Sequence, residues 1–439
     1  MSAPASPIPV PPNPRRVAAS LLDGVLGKGR ALDDMLADPK SGFRDLADRD
    51  RAFVRRLVAT ALRRRGQIDG TLRKFLTLWP KGLPREAMRL GAAELLFLDA
   101  PPHAAVDSAV DLMHPEQKKP RGLINAVLRK VATEGATIVA QQDAAKQNTP
   151  DWLWQSWERA YGPDLARDIA LAHLQEAPLD ISVKGDAALW ADKLQAELLP
   201  SGSLRRMAPG AVENLPGYAP QDGKGSAWWV QDAAAALPAK LLGDVAGKTI
   251  ADLCAAPGGK TAQLAVSGAI VTAVDRSAQR LRRLEQNLAR LDLKAEVVVA
   301  EIEQWQPPQP FDGVLLDAPC SATGTIRRHP DLPYLKDETD VMKLAALQRR
   351  LIAAAWTMLK PGGRLVYCVC SLQPEEGENQ MAALRALPGA RIVAADAATL
   401  GVPEDAVTAD GALRSLPCHW AERGGMDGFF AVCLEKSAA

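Results

Sequence analysis

The chain contains 439 residues, more than one ordinary hydrophobic core accommodates, so two or three domains are expected. Its hydrophobic content of 47% and charged content of 24% are typical of soluble globular proteins, and no run of about 20 apolar residues suggests a membrane span. Six irregularly spaced cysteines do not form a disulfide framework, which favours a cytoplasmic protein with reduced thiols.

The net charge of +1 conceals an uneven distribution of charge along the chain. Residues 1–150 carry 24 lysines and arginines against 16 acidic residues, whereas the remaining residues carry 29 against 36. A basic first part suggests a polyanionic partner. A solvated helical surface would give the same count, so charge alone leaves both interpretations open.

The first part of the chain predicts a helical domain. Residues 1–14 are rich in proline and lack the pattern of a secretion signal, so they predict a disordered lead. Residues 15–138 contain segments with apolar side chains at helical spacing, among them "DRAFVRRLVATALRRRGQID". We therefore expect a compact helical bundle, in which Arg63 to Arg65 lie either on a solvated face or against RNA.

Two regions separate this bundle from the second half of the chain. Residues 136–150 predict a linker. The segment "DWLWQSWERAYG" then predicts a helix whose rings pack at the start of the next domain, an interpretation we prefer to base stacking. Short strand-like runs with Gly and Pro turns predict a small α+β module over residues 150–226.

Strands and helices alternate over residues 227–439, which predicts a doubly wound α/β domain of Rossmann-like fold. In such sheets ligands bind beyond the carboxyl ends of the strands, where the strand order reverses. Four chemically distinctive features of the sequence fall at these predicted strand ends, so we expect the functional site there.

The first two features are a glycine-rich turn and an acid that ends the next strand. "DLCAAPGGK" (residues 252–260) lets the backbone approach a ligand closely and precedes a helix with free N–H groups. A P-loop would need glycine where Cys254 stands, so binding of a nucleoside triphosphate is disfavoured. Asp275 is placed to accept hydrogen bonds from ribose hydroxyls, which predicts a nucleoside-containing cofactor. Because G-x-G-x-x-G is absent, S-adenosylmethionine is favoured over NAD.

The other two features are the cysteines of "DAPCSATG" and "YCVCS", Cys320 and Cys370. Cys368 lies two residues deeper on the same face of its strand, so we interpret it as a core thiol. A metal site would need more ligands than the nearby His329 supplies, and a disulfide is disfavoured in the cytoplasm. Core packing at the strand ends stays an alternative to a nucleophilic thiol.

A nucleophilic thiol explains more of this pattern. Carbon 5 of a pyrimidine is too weak a nucleophile to accept a methyl group from a sulfonium. Addition of a thiolate to carbon 6 makes carbon 5 enamine-like, and methyl transfer, loss of the carbon-5 proton and elimination of the thiol follow. Such a site needs a thiolate, a carboxylic acid near N3 of the ring and a group that helps release, and Cys370, Asp317 and Cys320 fit these requirements.

Four stretches of the second half, "DLCAAPGGKTAQLA", "DAPCSATGTIRRHPD", "LVYCVCSLQPEEGENQ" and "MDGFFAVCLEK", resemble the RNA 5-methylcytosine methyltransferases. The resemblance is strongest to the bacterial Sun/Fmu (RsmB-like) type, which modifies a cytosine of 16S ribosomal RNA. "DRAFVRRLVATALR" and "GLINAVLRK" resemble the NusB-like RNA-binding bundle that distinguishes this type. The resemblance extends over nearly the whole chain and implies that the small α+β module also binds RNA.

The resemblance implies a role for each matching residue. Cys370 would attack carbon 6, Cys320 would assist release of the methylated base, and Asp317 would hydrogen-bond the cytosine. Lys260 would complete the catalytic set. The residues implied to contact S-adenosylmethionine are Cys254, Ala255, Ala256, Pro257, Gly258, Gly259, Lys260, Asp275 (on its ribose), Arg280, Glu301 and Asp317.

The sequence departs from the family pattern at four positions. Glu301 stands where the acid near the adenine is usually Asp, and Val369 replaces the usual Thr before the nucleophile. In "PLDISVK", Ser182 and Lys184 stand where the family usually has Arg and Asn. This change puts a standard RNA contact from the small module in doubt, with Lys184 as a partial replacement.

The expected function is C5 methylation of a cytosine in 16S rRNA, either free or in an early assembly intermediate, by a monomer that uses neither metal nor membrane. The target base must leave its stack to reach a buried thiolate. The same chemistry on transfer RNA is one alternative, which the NusB-like region disfavours. An inactive RNA-binding or antitermination factor is another, which the intact catalytic set disfavours.

Overall fold

The computed structural model describes residues 12–208, 210–220 and 225–438 of the chain. The disordered lead predicted for residues 1–14 therefore falls almost entirely outside the described residues. Within those ranges, no helix is both long and apolar enough to cross a membrane.

The chain divides into two compact units. The first unit contains the residues up to Glu158 together with Ala166–Leu174 and His329–Asp337. The second unit contains the rest of the chain, so the region expected to form the small module and the region expected to form the α/β domain belong to one unit.

The chain from Pro14 to His173 is helical, as the sequence predicts for its first part. Apolar side chains at helical spacing, such as Val54, Leu57 and Leu62, are buried in one core that continues through most of the helices. The helices are α1 (Pro14–Lys28), α2 (Leu32–Ala37), α3 (Asp48–Arg63), α4 (Arg65–Arg73), α5 (Leu83–Phe97), α6 (Pro102–Val110), α7 (Lys118–Ala140), α8 (Ala144–Asn148) and α9 (Asp151–His173), the last broken at Gly162.

Local sequence fixes the ends of α1. The side chain of Asn13 accepts a hydrogen bond from the backbone N–H of Arg15 at 2.9 Å, and Pro14 occupies the first turn, where its missing N–H costs nothing. Gly29 ends the helix with a φ of 64°, a conformation that glycine adopts without strain. These are the start and stop signals that a sequence pattern shows directly.

The linker predicted at residues 136–150 is wrong, because this segment is mostly helical: α7 runs to Ala140 and α8 follows. Asn148 donates to Oε1 of Gln67 at 2.9 Å and accepts from the N–H of Gln67 at 3.1 Å. The polar side chains that suggested a linker are used in hydrogen bonds to α4.

Two of the three consecutive arginines are held by packing within the first unit. The guanidinium of Arg64 lies 5.2 Å from the ring centre of Phe97, and burial lowers its pKa. Arg65 lies 4.7 Å from the ring centre of Tyr334 and 3.6 Å from the carboxylate of Asp69. Their cation–π and ionic contacts stabilise the bundle itself.

Helix α9 packs its rings rather than presenting them to solvent. Trp157 is 1% exposed, and its ring centre lies 5.2 Å from that of His173. The hydroxyl of Tyr161 donates to the carbonyl of Leu372 at 2.6 Å, and burial raises its pKa. Both aromatic residues pack, as predicted, but Trp157 does so within the first unit and only Tyr161 within the second.

The segment His329–Asp337 belongs to the first unit although it follows the sequence motif of Cys320. Asp331 accepts a hydrogen bond from the N–H of Leu32 at 2.8 Å, and Tyr334 donates to the carbonyl of Leu62 at 2.9 Å. Helix α2 starts after an alanine, which has no capping group, so Asp331 supplies the cap from a distant part of the chain. No local pattern indicates such a contact.

The second unit begins with a four-stranded antiparallel sheet of order β2-β3-β1-β4. Alternation places Ile181 and Leu204 in its small core, beside Trp228. Its elements are β1 (Leu179–Val183), α10 (Ala188–Leu194), β2 (Glu197–Leu198), β3 (Leu204–Arg206) and β4 (Trp228–Val230).

Six charged residues, five of them buried and Arg328 partly exposed, form one ion cluster that joins this small sheet to the large one: Asp180, Arg205, Asp232, Arg327, Arg328 and Asp427. Asp180 and Arg205 make a bidentate pair at 2.7 Å, and neither side chain is exposed. Asp232 lies 2.8 Å from Arg327 and 2.5 Å from Arg328. Burial opposes its charge, but the two guanidinium groups outweigh burial and hold its pKa below the usual range.

The large sheet has the order β10-β12-β9-β8-β5-β6-β7, with β11 paired to β12. Neighbours from β9 to β7 are parallel, whereas β10, β11 and β12 join by antiparallel pairing. The elements are α11 (Leu237–Lys240), β5 (Thr249–Leu253), α12 (Gly259–Val266), β6 (Ile270–Asp275), α13 (Ala278–Leu291), β7 (Glu296–Val299), β8 (Phe311–Asp317), α14 (Glu338–Thr357), β9 (Leu359–Val369), α15 (Met381–Arg385), β10 (Ala390–Val393), α16 (Ala397–Leu400), β11 (Leu413–Ser415) and β12 (Phe429–Lys436).

The strand order reverses beside β5, because β6 and β7 follow on one side and β8 and β9 on the other. Near-continuous apolar runs such as those of β8 and β9 are buried on both faces, as parallel strands require. The multi-domain fold class predicted from the sequence, a helical bundle, a small α+β module and a Rossmann-like α/β domain, is confirmed.

Candidate active site

The reversal of strand order gathers the predicted site residues at one edge of the large sheet. In the ladders, Leu253 pairs with Val274 and with Leu316, and Asp317 pairs with Cys368. The residues that follow β5, β6, β8 and β9 therefore meet at the switch point, where open α/β sheets bind ligands.

The turn after β5 has the tight backbone that its sequence predicts. Cys254 has a φ of 60°, and Gly258 has a φ of 101° immediately before α12. A Cβ at Gly258 would lie 2.8 Å from the side chain of Leu284, so both its conformation and its surroundings require glycine. The first N–H groups of α12, which have no acceptor within the helix, follow directly on this turn.

Asp275 is held in a fixed orientation at the end of β6. It accepts the N–H of Ser277 at 2.9 Å and the N–H of Ala256 at 3.3 Å. Arg280 lies 3.4 Å from the same carboxylate, and its guanidinium also donates to the carbonyl of Ala256. One strand end, the turn and the start of α13 are joined through this carboxylate.

Lys260 and Asp317 form an ion pair with an N–O distance of 2.8 Å. Burial opposes the charge on Lys260, but the attraction of Asp317 outweighs burial and raises the pKa of the lysine. The thiol of Cys368 lies 3.5 Å from the other oxygen of Asp317. Cys368 is fully buried, so the core interpretation holds, yet its thiol also orients the carboxylate.

The Sγ atoms of Cys320 and Cys370 lie 3.4 Å apart, and both residues are free thiols. The hydrogen bond to Cys370 and, second, burial raise the pKa of Cys320 well above its ordinary value. Among the described residues, no group of three or more His, Cys, Asp and Glu side chains is placed to hold a metal ion. The two thiols, separated by fifty residues in the chain, form one centre.

A cavity of about 240 Å³ lies over these strand ends. Its wall includes both thiols and six of the residues implied to bind the cofactor: Cys254, Ala256, Asp275, Arg280, Glu301 and Asp317. The other implied residues are not on this wall as far as the structure describes it: Ala255, Pro257, Gly258, Gly259 and Lys260. The carboxylates of Asp275 and Asp317 and the two thiols thus line the same cavity.

Sequence reasoning missed two parts of this site. Leu347 and Leu351 of α14 form an apolar part of the cavity wall, which helical periodicity alone does not distinguish from core. Glu376, fully buried, accepts hydrogen bonds from Ser321 and Ser371, the residues that follow the two cysteines. The acidic pair of "QPEEGE" directly after the cysteine strand was the available signal.

The two unusual residues of the small sheet are engaged within the second unit. Ser182 donates to Oε1 of Gln231 at 2.8 Å, and Lys184 donates to the carbonyl of Leu291 at 2.6 Å. Burial lowers the pKa of Lys184. The structure therefore gives both residues a packing role.

The cavity suits a nucleoside with a cationic centre. Its wall carries four acidic residues, Asp275, Glu301, Glu303 and Asp317, against two basic ones, Arg276 and Arg280, and an excess of carboxylates favours a sulfonium and accepts ribose hydroxyls. Together with a parallel sheet and a glycine-rich turn after β5, these features define the class of S-adenosylmethionine-dependent methyltransferases.

Comparison with known proteins identifies the family within this class. Residues 239–435 match the family model 16S rRNA methyltransferase RsmB/F, and residues 12–133 match the NusB family. Ribosomal RNA small subunit methyltransferase B of Vibrio cholerae is 36% identical, over 97% of this chain and 98% of that protein. The protein of the same name from Escherichia coli O127:H6 is 35% identical, over 97% and 99%. The chain belongs to the ribosomal RNA small subunit methyltransferase B family.

Solved structures show the same fold. The crystal structure of PH0851 superimposes with a TM-score of 0.73 at 22% identity, over 97% of this chain and all of that one. NSun6 from Pyrococcus horikoshii, solved with SFG, gives a TM-score of 0.53 at 20% identity, over 66% of this chain and 99% of its own. The family resemblance, the Rossmann-like fold and S-adenosylmethionine as cofactor are thus confirmed.

Proposed function

We propose that this protein is a cytoplasmic enzyme that methylates carbon 5 of a cytosine in 16S rRNA, through a covalent bond between Cys370 and the base. The observation that carries the proposal is the pair of thiols 3.4 Å apart on the wall of the cavity that also contains Asp275 and Asp317. The residues that we assign to the cofactor and the nucleophile that we propose therefore line the same cavity. The names of the related proteins support ribosomal RNA of the small subunit as the substrate.

Cys370 acts as the nucleophile in this scheme. Its thiolate forms a bond to carbon 6 of the cytosine, and the electron pair of the 5,6 double bond becomes available at carbon 5. The cofactor supplies the methyl group that carbon 5 accepts. Loss of the carbon-5 proton to a base then restores the double bond as the carbon–sulfur bond breaks, and Cys370 leaves with its electron pair.

Cys320 is suited to assist that release rather than to attack. Its raised pKa keeps it protonated near neutral pH, and its sulfur lies 3.4 Å from that of Cys370, within reach of a hydrogen bond from the Cys320 S–H to a Cys370 thiolate. A protonated thiol hydrogen-bonded to the sulfur of Cys370 stabilises negative charge there, both before attack and when the carbon–sulfur bond breaks.

Asp317 positions the base. Lys260 contacts one oxygen of the Asp317 carboxylate and Cys368 the other. The Asp317 side chain is nevertheless 31% exposed, so part of the carboxylate stays accessible from the cavity. We propose that the accessible part of the Asp317 carboxylate makes a hydrogen bond with the cytosine. Lys260 fixes the carboxylate and completes the catalytic set, and its own burial prevents it from reaching far into the cavity.

The cofactor is assigned to the acidic half of the cavity. Asp275 would hold the ribose hydroxyls, because Ser277 and Ala256 fix its carboxylate toward the turn. Glu301, at the end of β7, would lie near the adenine, and the turn from Cys254 to Lys260 would contact the remainder. Arg280 would keep the turn closed through its contacts with Asp275 and Ala256.

The deciding experiment maps 5-methylcytosine in 16S rRNA by bisulfite sequencing and mass spectrometry, in cells with and without the gene. We expect one cytosine to lose its methyl group on deletion and to regain it with the wild-type gene but not with the Cys370→Ala gene. Transfer RNA is analysed in parallel. Unchanged 16S rRNA, or a loss confined to transfer RNA, would refute the proposal.

A further inference from the structure

The turns that carry the two thiols are joined beneath the cavity by one buried carboxylate. Glu376 Oε1 accepts the backbone N–H of Ser321 at 2.9 Å, and Oε2 accepts the hydroxyl of Ser321 and, at 2.5 Å, that of Ser371. Ser321 directly follows Cys320, and Ser371 directly follows Cys370. A single side chain therefore holds the neighbour of each cysteine.

The carboxylate is itself held from the opposite side. Gln348 of α14 donates to Oε1 of Glu376 at 3.1 Å and to the carbonyl of Pro319 at 2.9 Å. Tyr367 of β9 donates to the backbone carbonyl of Glu376 at 2.6 Å. Glu376 has no exposed surface, so its position is set by these contacts and not by solvent.

Two further hydrogen bonds join the two turns, and the two serine hydroxyls lie close together. The N–H of Gly324 donates to the carbonyl of Cys370 at 3.0 Å, and the N–H of Leu372 donates to the hydroxyl of Thr323 at 3.0 Å. The hydroxyls of Ser321 and Ser371 lie 3.0 Å apart. With Glu376 removed, both hydroxyls and one N–H would lose a buried acceptor.

We propose that Glu376 is a positioning residue of the methyl transfer reaction, which clamps the turns of Cys320 and Cys370 so that their sulfur atoms meet at hydrogen-bond distance. This inference rests on the proposed two-thiol function. It adds a residue that contacts neither the cavity nor the reacting atoms, and that acts through the two serines.

The clamp also has an electrostatic consequence that can be measured. The negative charge of Glu376 is one cause of the raised pKa of Cys320, after the hydrogen bond to Cys370, burial and the charge of Cys370. Two other titratable side chains face these turns: Tyr367, whose pKa burial raises well above its ordinary value, so it stays neutral, and Arg414, whose guanidinium donates to the carbonyl of Ser371 at 2.5 Å. The Lys260–Asp317 ion pair is present in every variant considered below.

Three variants separate the geometric role from the electrostatic role. Glu376→Gln keeps the shape and one acceptor for Ser321 but removes the charge, whereas Glu376→Ala removes the clamp altogether. Glu375→Gln is the matched control, since it makes the same chemical change at the residue next to Glu376. Binding of S-adenosylhomocysteine by calorimetry and near-ultraviolet circular dichroism verify that each variant is folded.

Two measurements test the proposal. The first is kcat and KM for methyl transfer to 16S rRNA: we expect Glu376→Ala to lower kcat by about 100-fold with little change in KM for the cofactor, and Glu376→Gln to lower it less. The second is alkylation of Cys320 by iodoacetamide between pH 6 and 11, followed by peptide mass spectrometry. Its midpoint should move to lower pH in Glu376→Gln and stay unchanged in Glu375→Gln.

The outcomes distinguish this inference from the proposed function. If the wild-type protein does not methylate rRNA cytosine but the alkylation midpoint shifts as described, the proposed function and the role of Glu376 in methyl transfer fail, whereas the electrostatic coupling of Glu376 to Cys320 stands. Wild-type kcat in folded Glu376→Ala, or an equal midpoint shift in Glu375→Gln, would overturn the clamp while leaving the two-thiol chemistry in place.

Discussion

Two buried polar clusters of the second unit differ in what they face. The ion cluster of Asp180, Arg205, Asp232, Arg327, Arg328 and Asp427 is closed, since each carboxylate meets guanidinium groups within it. The thiol cluster of Cys320 and Cys370 with Glu376 opens onto a cavity on one side. Both are made of costly buried polar groups, but only the second presents reactive atoms to a ligand.

The difference lies in how charge is balanced. In the ion cluster the carboxylates and guanidinium groups neutralise one another, so the cluster has a structural role. Around the thiols, Glu376 receives only neutral hydroxyl and amide donors, so its charge acts on the neighbouring Cys320. A cluster that shifts the pKa of a residue on the cavity wall is suited to catalysis. A cluster whose charges are all neutralised within it is suited to stability. The following predictions test this distinction.

The largest effect is expected at the thiols. Cys370→Ala should lower methyl transfer by on the order of 10⁵-fold or more, because the covalent step has no substitute nucleophile. In the Cys320→Ala variant, Cys370 should still attack the cytosine, but the methylated base should be released slowly. A covalent protein–RNA adduct should therefore accumulate and be visible on a denaturing gel. The unfolding free energy should change little in either variant compared with these losses.

Cys433→Ala is the control for both thiol variants, since Cys433 is a buried thiol of β12 that lies outside the cavity wall. It should keep wild-type kcat and form no adduct. An adduct in Cys370→Ala but not in Cys320→Ala would reverse the roles assigned to the two thiols.

The next largest effect is expected on stability, at the ion cluster. Asp232→Ala removes one of the two carboxylates that Arg327 and Arg328 share and leaves only Asp427, and breaking a buried pair in this way costs about 3–5 kcal/mol. Urea unfolding measures the loss. Where the variant stays folded, kcat should be close to wild type; a large loss of kcat at unchanged stability would show that the closed cluster is also catalytic.

The sequence predicts one of these clusters well and the other poorly. Cys320, Cys370 and Asp317 lie at strand ends within recognisable motifs, so their convergence follows from strand order alone. Arg327 and Arg328 stand in a basic run that local patterns cannot distinguish from an RNA-binding surface, because their partners Asp180, Asp232 and Asp427 are distant in sequence. Pairing across such distances is a property of the tertiary fold.

The same limit applies to the elements. Helix α1 carries its own cap, and its start is visible in the sequence at Asn13 and Pro14. Helix α2 is capped by Asp331, nearly three hundred residues away, and α8 is fixed by the hydrogen bonds between Asn148 and Gln67. Elements whose ends depend on distant side chains are those that periodicity and turn residues miss.

A smaller effect, dependent on pH, is expected at Asp252. Burial, opposed by a 2.5 Å hydrogen bond from Thr261, raises the pKa of this carboxyl from 3.8 to about 7. The unfolded chain loses the proton near pH 4 and the folded chain only near pH 7, so this group makes the free energy of unfolding fall as pH rises through that window. Asp252→Asn should remove a decline of about 3 kcal/mol between pH 5 and 8.

Urea unfolding of the cofactor-free protein at both pH values gives this difference. Asp312→Asn is the control, because a hydrogen bond from Lys360 lowers the pKa of Asp312 to about 2, and its contribution therefore changes only below the tested window. Equal pH slopes in wild type and Asp252→Asn would show that Asp252 is ionised in the folded protein at pH 5.

The smallest effect is expected at an exposed ion pair of the same unit. Asp410 and Arg385 are 56% and 49% exposed, so water screens their attraction and both side chains lose entropy when they pair. Asp410→Ala should change the free energy of unfolding by roughly 0–1 kcal/mol, and 1 M salt should abolish the difference. The same substitution at Asp232 should be far less sensitive to salt, because Asp232 and Arg327 are buried. Equal costs at the two positions would mean that burial and closure do not distinguish the ion cluster from an ordinary surface pair.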